Sequence, residues 1–357
     1  MLSSFPVYAL ITHLVTCFYV LAAGLHSSVR PFAYIIAALI SSFIVSLLIL
    51  SDYGVYAAAF RELDAQQFFK DQYSFSQFEY LYTLINYWIR SFTEDFNYLR
   101  FFFVFFGLLV KIFFLRRWGK FQSVCFIFYI AVVFYPDSYL LRSTLASSFL
   151  LIAFWFLMNK NPAYQFVGMV LVASGFHFSA LIALPFWFFR NIVVSQRTAA
   201  IALLLIMGAG VVGIGQPLVN FTIGLLFDDS FLAQKALLYQ DSKFAGRLSV
   251  FSGALLVYIS ITIAFIGCRK RLIGSMDNYD FCLVIMLFGL GLLVGLADFA
   301  ILAERTFRLF AFFYAVALGQ VISCFTEKAR MLVSMFLIAF FNLVPYLTDA
   351  GPFRLIS

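Results

Sequence analysis

The sequence is poor in charged residues, which make up 11% of its 357 residues, whereas soluble domains carry about a quarter. Hydrophobic residues make up 64%, and the mean hydropathy is +0.97. This composition excludes a soluble globular domain and predicts a polytopic membrane protein. The net charge of +7 does not indicate a nucleic-acid partner, because the basic residues form short clusters between apolar runs, as in cytoplasmic loops.

Cysteine and histidine are scarce, with five and three residues respectively. The cysteines lie scattered in or beside apolar runs, without the spacing of a metal site or of a disulfide framework. We therefore expect no metal and no cofactor. The segment Met1-Leu2-Ser3-Ser4 has no basic residue ahead of its apolar run, so no cleavable signal peptide is predicted.

Apolar runs predict the fold class, an all-α polytopic membrane helix bundle of about 10 to 12 transmembrane helices, forming a single domain over residues 1–357. The basic clusters Arg116-Arg117, Arg269-Lys270-Arg271 and Lys328 with Arg330 belong in the cytoplasm, which places both termini outside. The predicted spans are 5–23, 31–50, 98–115, 121–136, 138–158, 198–216, 248–267, 279–297, 307–325 and 331–347.

Residues 162–190 depart from this pattern, because Lys160 and Arg190 on either side both resemble cytoplasmic flanks. One long tilted span fits the length, but the charges favour a re-entrant pair with limbs 163–174 and 178–189. His177 would lie at its tip on the outer side, where protein or a cavity must cover the backbone. An ionisable residue there indicates an active or transport site. The alternative is an imidazole that bridges two backbone groups.

Two polar insertions are predicted on the outer side, at 51–97 and 217–247. In the first, apolar residues recur at near-helical spacing from Phe75 to Trp88. This predicts an amphipathic helix that lies on the outer membrane surface or caps a cavity. The alternative is that the helix merely shields the bundle.

Arginines begin several spans on the outer side, where positive charge is disfavoured. They are Arg142, Arg247, and Arg305 with Arg308 in a segment that also carries Glu304. Arg305 and Arg308 share a helix face and would converge on one phosphate-bearing ligand. A guanidinium binds diphosphate oxygens and offsets the charge of a leaving diphosphate, while a nearby carboxylate or imidazole takes a proton from an attacking hydroxyl. The alternative for Arg142 is an arginine that snorkels to the membrane surface or is structurally paired. For Arg305 and Arg308 it is a Glu-Arg pair within a loop.

Five short motifs follow one another between about residues 50 and 320. They resemble elements written Asp-Tyr-x-x-Tyr, Glu-Pro-x-Tyr/Phe, Arg-Gln-x-x-Ala, Phe-His-x-Ser-Ala and a late arginine before an aromatic-rich span. The matching segments are Asp52-Tyr53-Gly54-Val55-Tyr56, Glu79-Tyr80-Leu81-Tyr82, Arg142-Ser143-Thr144-Leu145-Ala146, Phe176-His177-Phe178-Ser179-Ala180 and Glu304-Arg305 to Arg308. The ordered set resembles the EpsG-like branch of Wzy-type O-antigen and exopolysaccharide polymerases. Ser143 in place of Gln and Tyr80 in place of Pro depart from the pattern.

The resemblance implies a metal-independent glycosyltransferase at the periplasmic face of a bacterial inner membrane. It would transfer a growing glycan from undecaprenyl diphosphate onto a new lipid-linked repeat unit, and so bind this lipid-linked oligosaccharide as donor and acceptor. A chain-length regulator and a flippase are implied as further partners. The predicted catalytic residues are His177, Glu79 and Asp52; the predicted diphosphate-binding residues are Arg142, Arg305 and Arg308, with Arg247 added from its position at the start of a span; Tyr53, Tyr56 and Glu304 are predicted to make other substrate contacts.

Three other functions use a similar apolar bundle. A transporter or flippase predicts interrupted helices in both halves of the chain, whereas only 162–190 is predicted to be interrupted. A membrane acyltransferase would carry an acid adjacent to its histidine, a position that Phe176 and Phe178 occupy here. An O-antigen ligase uses the same lipid-diphosphate donor and differs only in its acceptor.

Overall fold

The apolar runs form helices in the part of the chain that the computed structural model describes: residues 30–46, 53–62, 79–120, 122–134, 139–215, 217, 248–249, 252–276 and 278–347. All regular elements in these ranges are helical, as expected where the backbone must satisfy its own hydrogen bonds in lipid. The predicted span 5–23 lies outside the described residues. Of the predicted insertion 217–247, only residue 217 is described.

The helices are numbered in chain order. They are α1 Arg30–Ser46, α2 Tyr53–Glu62, α3 Tyr80–Arg90, α4 Phe96–Trp118, α5 Gln122–Phe128, α6 Leu141–Met158, α7 Ala163–Phe176, α8 Phe186–Phe189, α9 Gln196–Val212, α10 Gly253–Gly267, α11 Arg269–Leu272, α12 Tyr279–Gly295, α13 Ala300–Ser323 and α14 Glu327–Leu347. A π-helix, Tyr129–Phe134, continues α5, and a 3₁₀ segment, Phe178–Ala183, separates α7 from α8.

Helices α4, α6 and α13 are long and apolar enough to cross a membrane, and several other apolar helices are shorter. The predicted all-α architecture is confirmed in the described residues and is compatible with a membrane bundle. The number of about 10 to 12 spans and the single-domain organisation stay predictions.

Local sequence sets the ends of the best-defined spanning helix. At the start of α4, the Asp95 carboxylate accepts the Asn97 amide hydrogen at 2.9 Å, which satisfies a donor that a helix start leaves open. At the other end Arg116 and Arg117 lie in the last turn, where positive charge complements the helix dipole. The basic cluster that predicts the cytoplasmic side is therefore at the end of α4 opposite Phe96.

The chain forms two compact units, one of residues 1–188 with 326–352 and one of 189–325 with 353–357. In the first unit α6 packs between α4 and α7. Helices α4 and α6 approach closely at Gly107, where a Cβ atom would lie 2.5 Å from the Thr144 methyl carbon. The Ser148 hydroxyl, one turn further along α6, donates to the Gly107 carbonyl at 3.3 Å. This contact fixes the two spanning helices against each other.

The segment 162–190 folds back on itself at His177. Helix α7 ends at Phe176, His177 is extended (φ −154°, ψ 111°), and the 3₁₀ segment follows at once. The rings of Phe166 and Trp187 stack with centroids 6.3 Å apart, whereas 21 residues of continuous helix would separate them by about 30 Å. The predicted break and reversal are confirmed; the depth of this hairpin in a membrane stays a prediction.

Helix α3 of the first insertion packs on this hairpin. A Cβ atom at Gly175 would lie 2.6 Å from Leu81 Cγ, so only glycine permits the approach. The buried face of α3 consists of Tyr82, Thr83, Asn86 and Ile89, while Trp88 is exposed. An amphipathic helix is therefore present, and its face towards the hairpin contains the polar residues Thr83 and Asn86. Phe75 and Phe78 lie outside the described residues.

The second unit is organised around α13, which buries nearly every residue from Thr306 to Ile322 and packs against α10 and α12. The Tyr258 ring lies 4.6 Å from that of Phe307 and 4.9 Å from that of Tyr314, and the Tyr314 hydroxyl donates to the Met286 carbonyl at 2.8 Å. Aromatic rings and the hydrogen bond of the Tyr314 hydroxyl thus join the three helices.

Replacing Gly175 by alanine tests the contact between α3 and the hairpin. The added methyl group overlaps Leu81, so we expect the free energy of unfolding in detergent to fall by about 1–3 kcal/mol. Gly168→Ala is the matched control, because nothing lies within 4 Å of a Cβ there in the same helix. Equal stability of the two variants would contradict the packing described.

Candidate active site

The carboxylate of Glu79 stands at the centre of a buried polar cluster. Glu79 is the residue before α3, with extended backbone, and its side chain is 16% exposed. One oxygen, Oε2, accepts from Arg142 Nη1 at 2.7 Å. The other, Oε1, lies 3.3 Å from His177 Nδ1 and 3.3 Å from the Phe178 amide nitrogen. Three segments far apart in the sequence thus meet at one carboxylate.

Arg142 lies in the first turn of α6, and its side chain is 13% exposed. Besides the bond to Glu79, its Nε donates to the Tyr56 hydroxyl at 3.3 Å, and the guanidinium lies 5.8 Å from the Tyr56 ring centroid. Arg142 is therefore held by two partners from the first insertion. Arg142 is thus paired with side chains of the fold, and its role towards a diphosphate stays a prediction.

His177 sits where the hairpin reverses, and its side chain is 11% exposed. It contacts a carboxylate rather than bridging two backbone groups through its ring, so that alternative was wrong. With Nδ1–H donating to Glu79, the neutral imidazole carries its lone pair on Nε2. This is the orientation that a carboxylate gives to a general-base histidine.

Burial would by itself raise the pKa of Glu79, but the hydrogen bond from His177, the charge of Arg142 and the further contacts of both residues outweigh it. They lower the pKa from 4.5 to about 2. A carboxylate with so low a pKa is a weak base near neutral pH. Its electrostatics suit a group that holds Arg142 and His177 in place.

Aromatic side chains form an apolar wall beside the cluster. The Tyr82 ring lies 5.8 Å from Tyr56 and 5.4 Å from Phe103, and the Phe176 ring lies 6.1 Å from Phe103 and stacks on Phe149 at 5.4 Å. Such a wall excludes water from one side of the ion pair, which strengthens its electrostatic interactions.

Arg100 is a buried cation that the sequence analysis missed. It lies in α4, is 2% exposed, and donates to the carbonyls of Val45 and Ser46 at 3.0 Å each. Its guanidinium lies 5.1 Å from the Tyr53 ring centroid. The signal was an arginine inside the apolar run 98–115, a position that is costly without partners.

A family comparison covers the part of the chain that contains these motifs. The model of the EpsG family matches residues 14–348. The chain belongs to the EpsG family. The match covers every motif on which the resemblance rested, and membership indicates an exopolysaccharide or O-antigen polymerase-like function with glycosyltransferase-like chemistry in a membrane protein. No curated protein and no solved structure matches the chain.

The late arginines of this EpsG-family chain lie in the second unit, inside α13 rather than before it. The helix begins at Ala300, so the boundary predicted at 307 was wrong, since the polar segment around Glu304 continues the helix. Arg308 is buried and pairs with Glu304 one turn earlier. The Glu304–Arg308 ion pair therefore lies within the helix and not in a loop. Convergence of Arg305 and Arg308 on a phosphate stays a prediction.

Two predicted site residues of the EpsG-family chain, Asp52 and Arg247, lie outside the described residues. Tyr53 and Tyr56 lie on α2, and Tyr56 contacts the cluster directly. Among the described residues no group of three metal-ligating side chains is found. The independence from metal stays a prediction.

Protonation of Glu79 tests the electrostatics of the cluster. Because its pKa in the folded protein is lowered to about 2, the carboxylate stabilises the fold above the ordinary value of 4.5, and this stabilisation is lost as the pH falls towards 2. We expect Glu79→Gln to lower the free energy of unfolding by at most about 3 kcal/mol at neutral pH. The difference from wild type should shrink only below pH 4.5.

Unfolding in detergent at a series of pH values measures this difference. Glu94→Gln is the matched control, because the Glu94 side chain is 89% exposed in its pair with Arg90 and such pairs contribute little. A wild-type advantage over Glu79→Gln that already disappears well above pH 4.5 would contradict the lowered pKa.

Proposed function

We propose that the protein is a polysaccharide polymerase. It transfers a growing O-antigen or exopolysaccharide chain from undecaprenyl diphosphate onto a new lipid-linked repeat unit at the periplasmic face of a bacterial inner membrane. The observation that carries the proposal is that the Glu79 carboxylate forms hydrogen bonds with both Arg142 and His177. These bonds lie within a chain of the EpsG family. These residues combine a candidate base with a candidate phosphate-binding group.

The location of the cluster supports an outer-facing site. Arg142 begins α6, and Arg100 lies near the beginning of α4, at the end opposite Arg116 and Arg117. Helix α7 packs along α6 after the turn at 159–162, so it returns His177 to the end of α6 where Arg142 lies. If Arg116 and Arg117 face the cytoplasm, this end faces the periplasm.

In the proposed reaction a hydroxyl oxygen of the acceptor sugar attacks the anomeric carbon of the donor sugar. The bond from that carbon to the diphosphate oxygen breaks, and the diphosphate leaves with the electron pair. The hydroxyl proton passes to His177 Nε2, whose lone pair is set by the bond from Nδ1 to Glu79, and then to water. Glu79 is a positioning residue in this scheme, because its low pKa makes it a poor proton acceptor.

The diphosphate requires more positive charge than Arg142 alone contributes. Arg142 and Glu79 form a pair whose formal charges cancel, so the pair attracts an anion less than a lone guanidinium. A guanidinium has five N–H donors, so the bond to Glu79 does not exclude a bond to a phosphate oxygen. The diphosphate-binding role of Arg247, Arg305 and Arg308 and the catalytic role of Asp52 remain predictions from the sequence.

Polymer length in a strain that lacks the gene tests the function. Without a polymerase, each acceptor should carry a single repeat unit, because lipid-linked units are still made and transferred. A surface glycan profile on a gel measures this. Bare acceptor would indicate a ligase or a flippase instead, and chains of normal length would exclude all three functions.

Substitutions in purified protein test the roles of the residues. We expect His177→Ala to lower kcat for elongation of lipid-linked repeats about 10²- to 10⁴-fold, the usual contribution of a general base. Glu79→Gln should lower kcat less, because the base remains but is no longer oriented. Glu94→Gln, on an exposed carboxylate, is the control and should elongate normally. If His177→Ala and Arg142→Ala both retain wild-type rates, the assigned site is wrong.

A further inference from the structure

Two exposed aromatic side chains flank the Glu79 carboxylate. Tyr80 follows Glu79 in the chain and is 51% exposed, and Phe178 follows His177 and is 52% exposed. The side chains of Glu79 and His177 themselves are mostly buried. The Phe178 amide nitrogen donates to Glu79 Oε1 at 3.3 Å. Both exposed rings are therefore attached to the backbone beside the same carboxylate.

Neither the motifs nor the packing of the fold requires an aromatic residue at these two positions. The element Phe-His-x-Ser-Ala leaves position 178 open, and Tyr80 stands where Glu-Pro-x-Tyr/Phe has proline. About half of each side chain lies outside the packed core. Ligand sites are commonly lined by aromatic side chains with a few polar groups among them. The two rings offer such a surface next to the candidate base.

The proposed reaction brings a sugar to this surface. An acceptor hydroxyl that gives its proton to His177 Nε2 lies within about 3.2 Å of that atom, so its pyranose ring covers the surface next to His177. Phe176, which precedes His177, is buried, whereas Phe178 is exposed. Of the two chain neighbours of His177, Phe178 is thus the one that the acceptor can contact.

The chemistry of a pyranose ring matches an aromatic surface. The ring has an apolar face of C–H groups and a rim of hydroxyls. An aromatic side chain covers the C–H face and removes apolar surface from water, and the Tyr80 hydroxyl can exchange hydrogen bonds with the rim. A lipid chain would also cover exposed rings, but any apolar side chain of similar size would contact it equally well.

We propose that Tyr80 and Phe178 form an aromatic platform, which binds a pyranose ring of the acceptor beside His177. The platform holds the sugar by stacking while His177 takes the hydroxyl proton. The inference rests on the proposed polymerase function, since that function supplies a sugar hydroxyl as the acceptor. It adds two residues to the site that were not among the predicted site residues.

Competition by a glycan without its lipid tests the platform. The probe is the oligosaccharide that mild acid releases from the lipid-linked repeat units of a strain lacking this gene. It should inhibit elongation of those repeat units by full-length wild-type protein in detergent. Phe178→Leu keeps an apolar side chain but removes the ring, so we expect inhibition to weaken roughly tenfold, about 1.4 kcal/mol. KM for the lipid-linked repeats should rise with little change in kcat.

Phe188→Leu is the matched control. Phe188 is exposed in the same hairpin, but at the end opposite His177, because its neighbour Trp187 stacks on Phe166 near the start of α7. This variant should be inhibited like wild type. A loss as large as that of Phe178→Leu would indicate a general effect on the hairpin and overturn the platform.

Variants of Tyr80 and a second variant of Phe178 complete the test. Tyr80→Leu should also weaken inhibition, whereas Tyr80→Phe and Phe178→Trp keep a ring and should stay closer to wild type. If Phe178→Leu does not fold, Phe178→Trp still gives a result, since its fluorescence should change when the oligosaccharide is added. A fluorescence that does not change overturns the platform.

Elongation by wild-type protein distinguishes the two levels of the proposal. If wild type elongates the repeats but the oligosaccharide does not inhibit it, the polymerase function stands and the platform is overturned. Inhibition that is unchanged in either leucine variant, Phe178→Leu or Tyr80→Leu, has the same meaning, because a lipid contact tolerates leucine. If wild type does not elongate the repeats, the polymerase function is overturned together with the platform.

Discussion

The ion pair and hydrogen bonds of Glu79 connect the parts of the first unit that carry the candidate site. Its carboxylate joins residues 63 and 98 positions away in the chain, and neither Arg142 nor His177 lies on the same element as Glu79. A buried carboxylate is tolerated when it is paired and hydrogen-bonded. Removing any one partner therefore affects the others, because the remaining charge loses its compensation.

The hairpin depends on a match between helix lengths. Helix α6 has 18 residues and α7 has 14, so α7 returns most of the way along its neighbour before it ends at Phe176. His177 then adopts an extended conformation, and its ring meets Glu79 rather than continuing a helical face. The reversal thus places an imidazole at the end of a spanning helix without a long loop. Rigid helices hold a site more accurately than loops do.

Sequence patterns predicted the features that follow from hydrophobicity and charge. The apolar runs indicated an all-helical bundle, and the flanking charges Lys160 and Arg190 indicated the reversal at His177. The start of α13 was predicted wrongly, and the face of α3 that packs on the hairpin could not be predicted, because both depend on tertiary packing. Gly175, for example, admits Leu81 at a distance that local periodicity does not encode.

The composition of the cluster itself was only partly predictable. The motifs identified Glu79, Arg142 and His177 one by one, but no spacing in the sequence indicated that one carboxylate would bind both Arg142 and His177. Arg100 was missed because a single arginine near a span end is also typical of a side chain that reaches the membrane surface. Its bonds to the Val45 and Ser46 carbonyls depend on where α1 ends against α4.

The first insertion contributes side chains to the candidate site. Helices α4 and α6 bring arginines to the site, whereas α2 and the start of α3 bring Tyr56 and Glu79. Without the insertion, Arg142 would lack the carboxylate that neutralises it. Because the insertion cancels this charge, a diphosphate gains less from Arg142 than a lone arginine would offer.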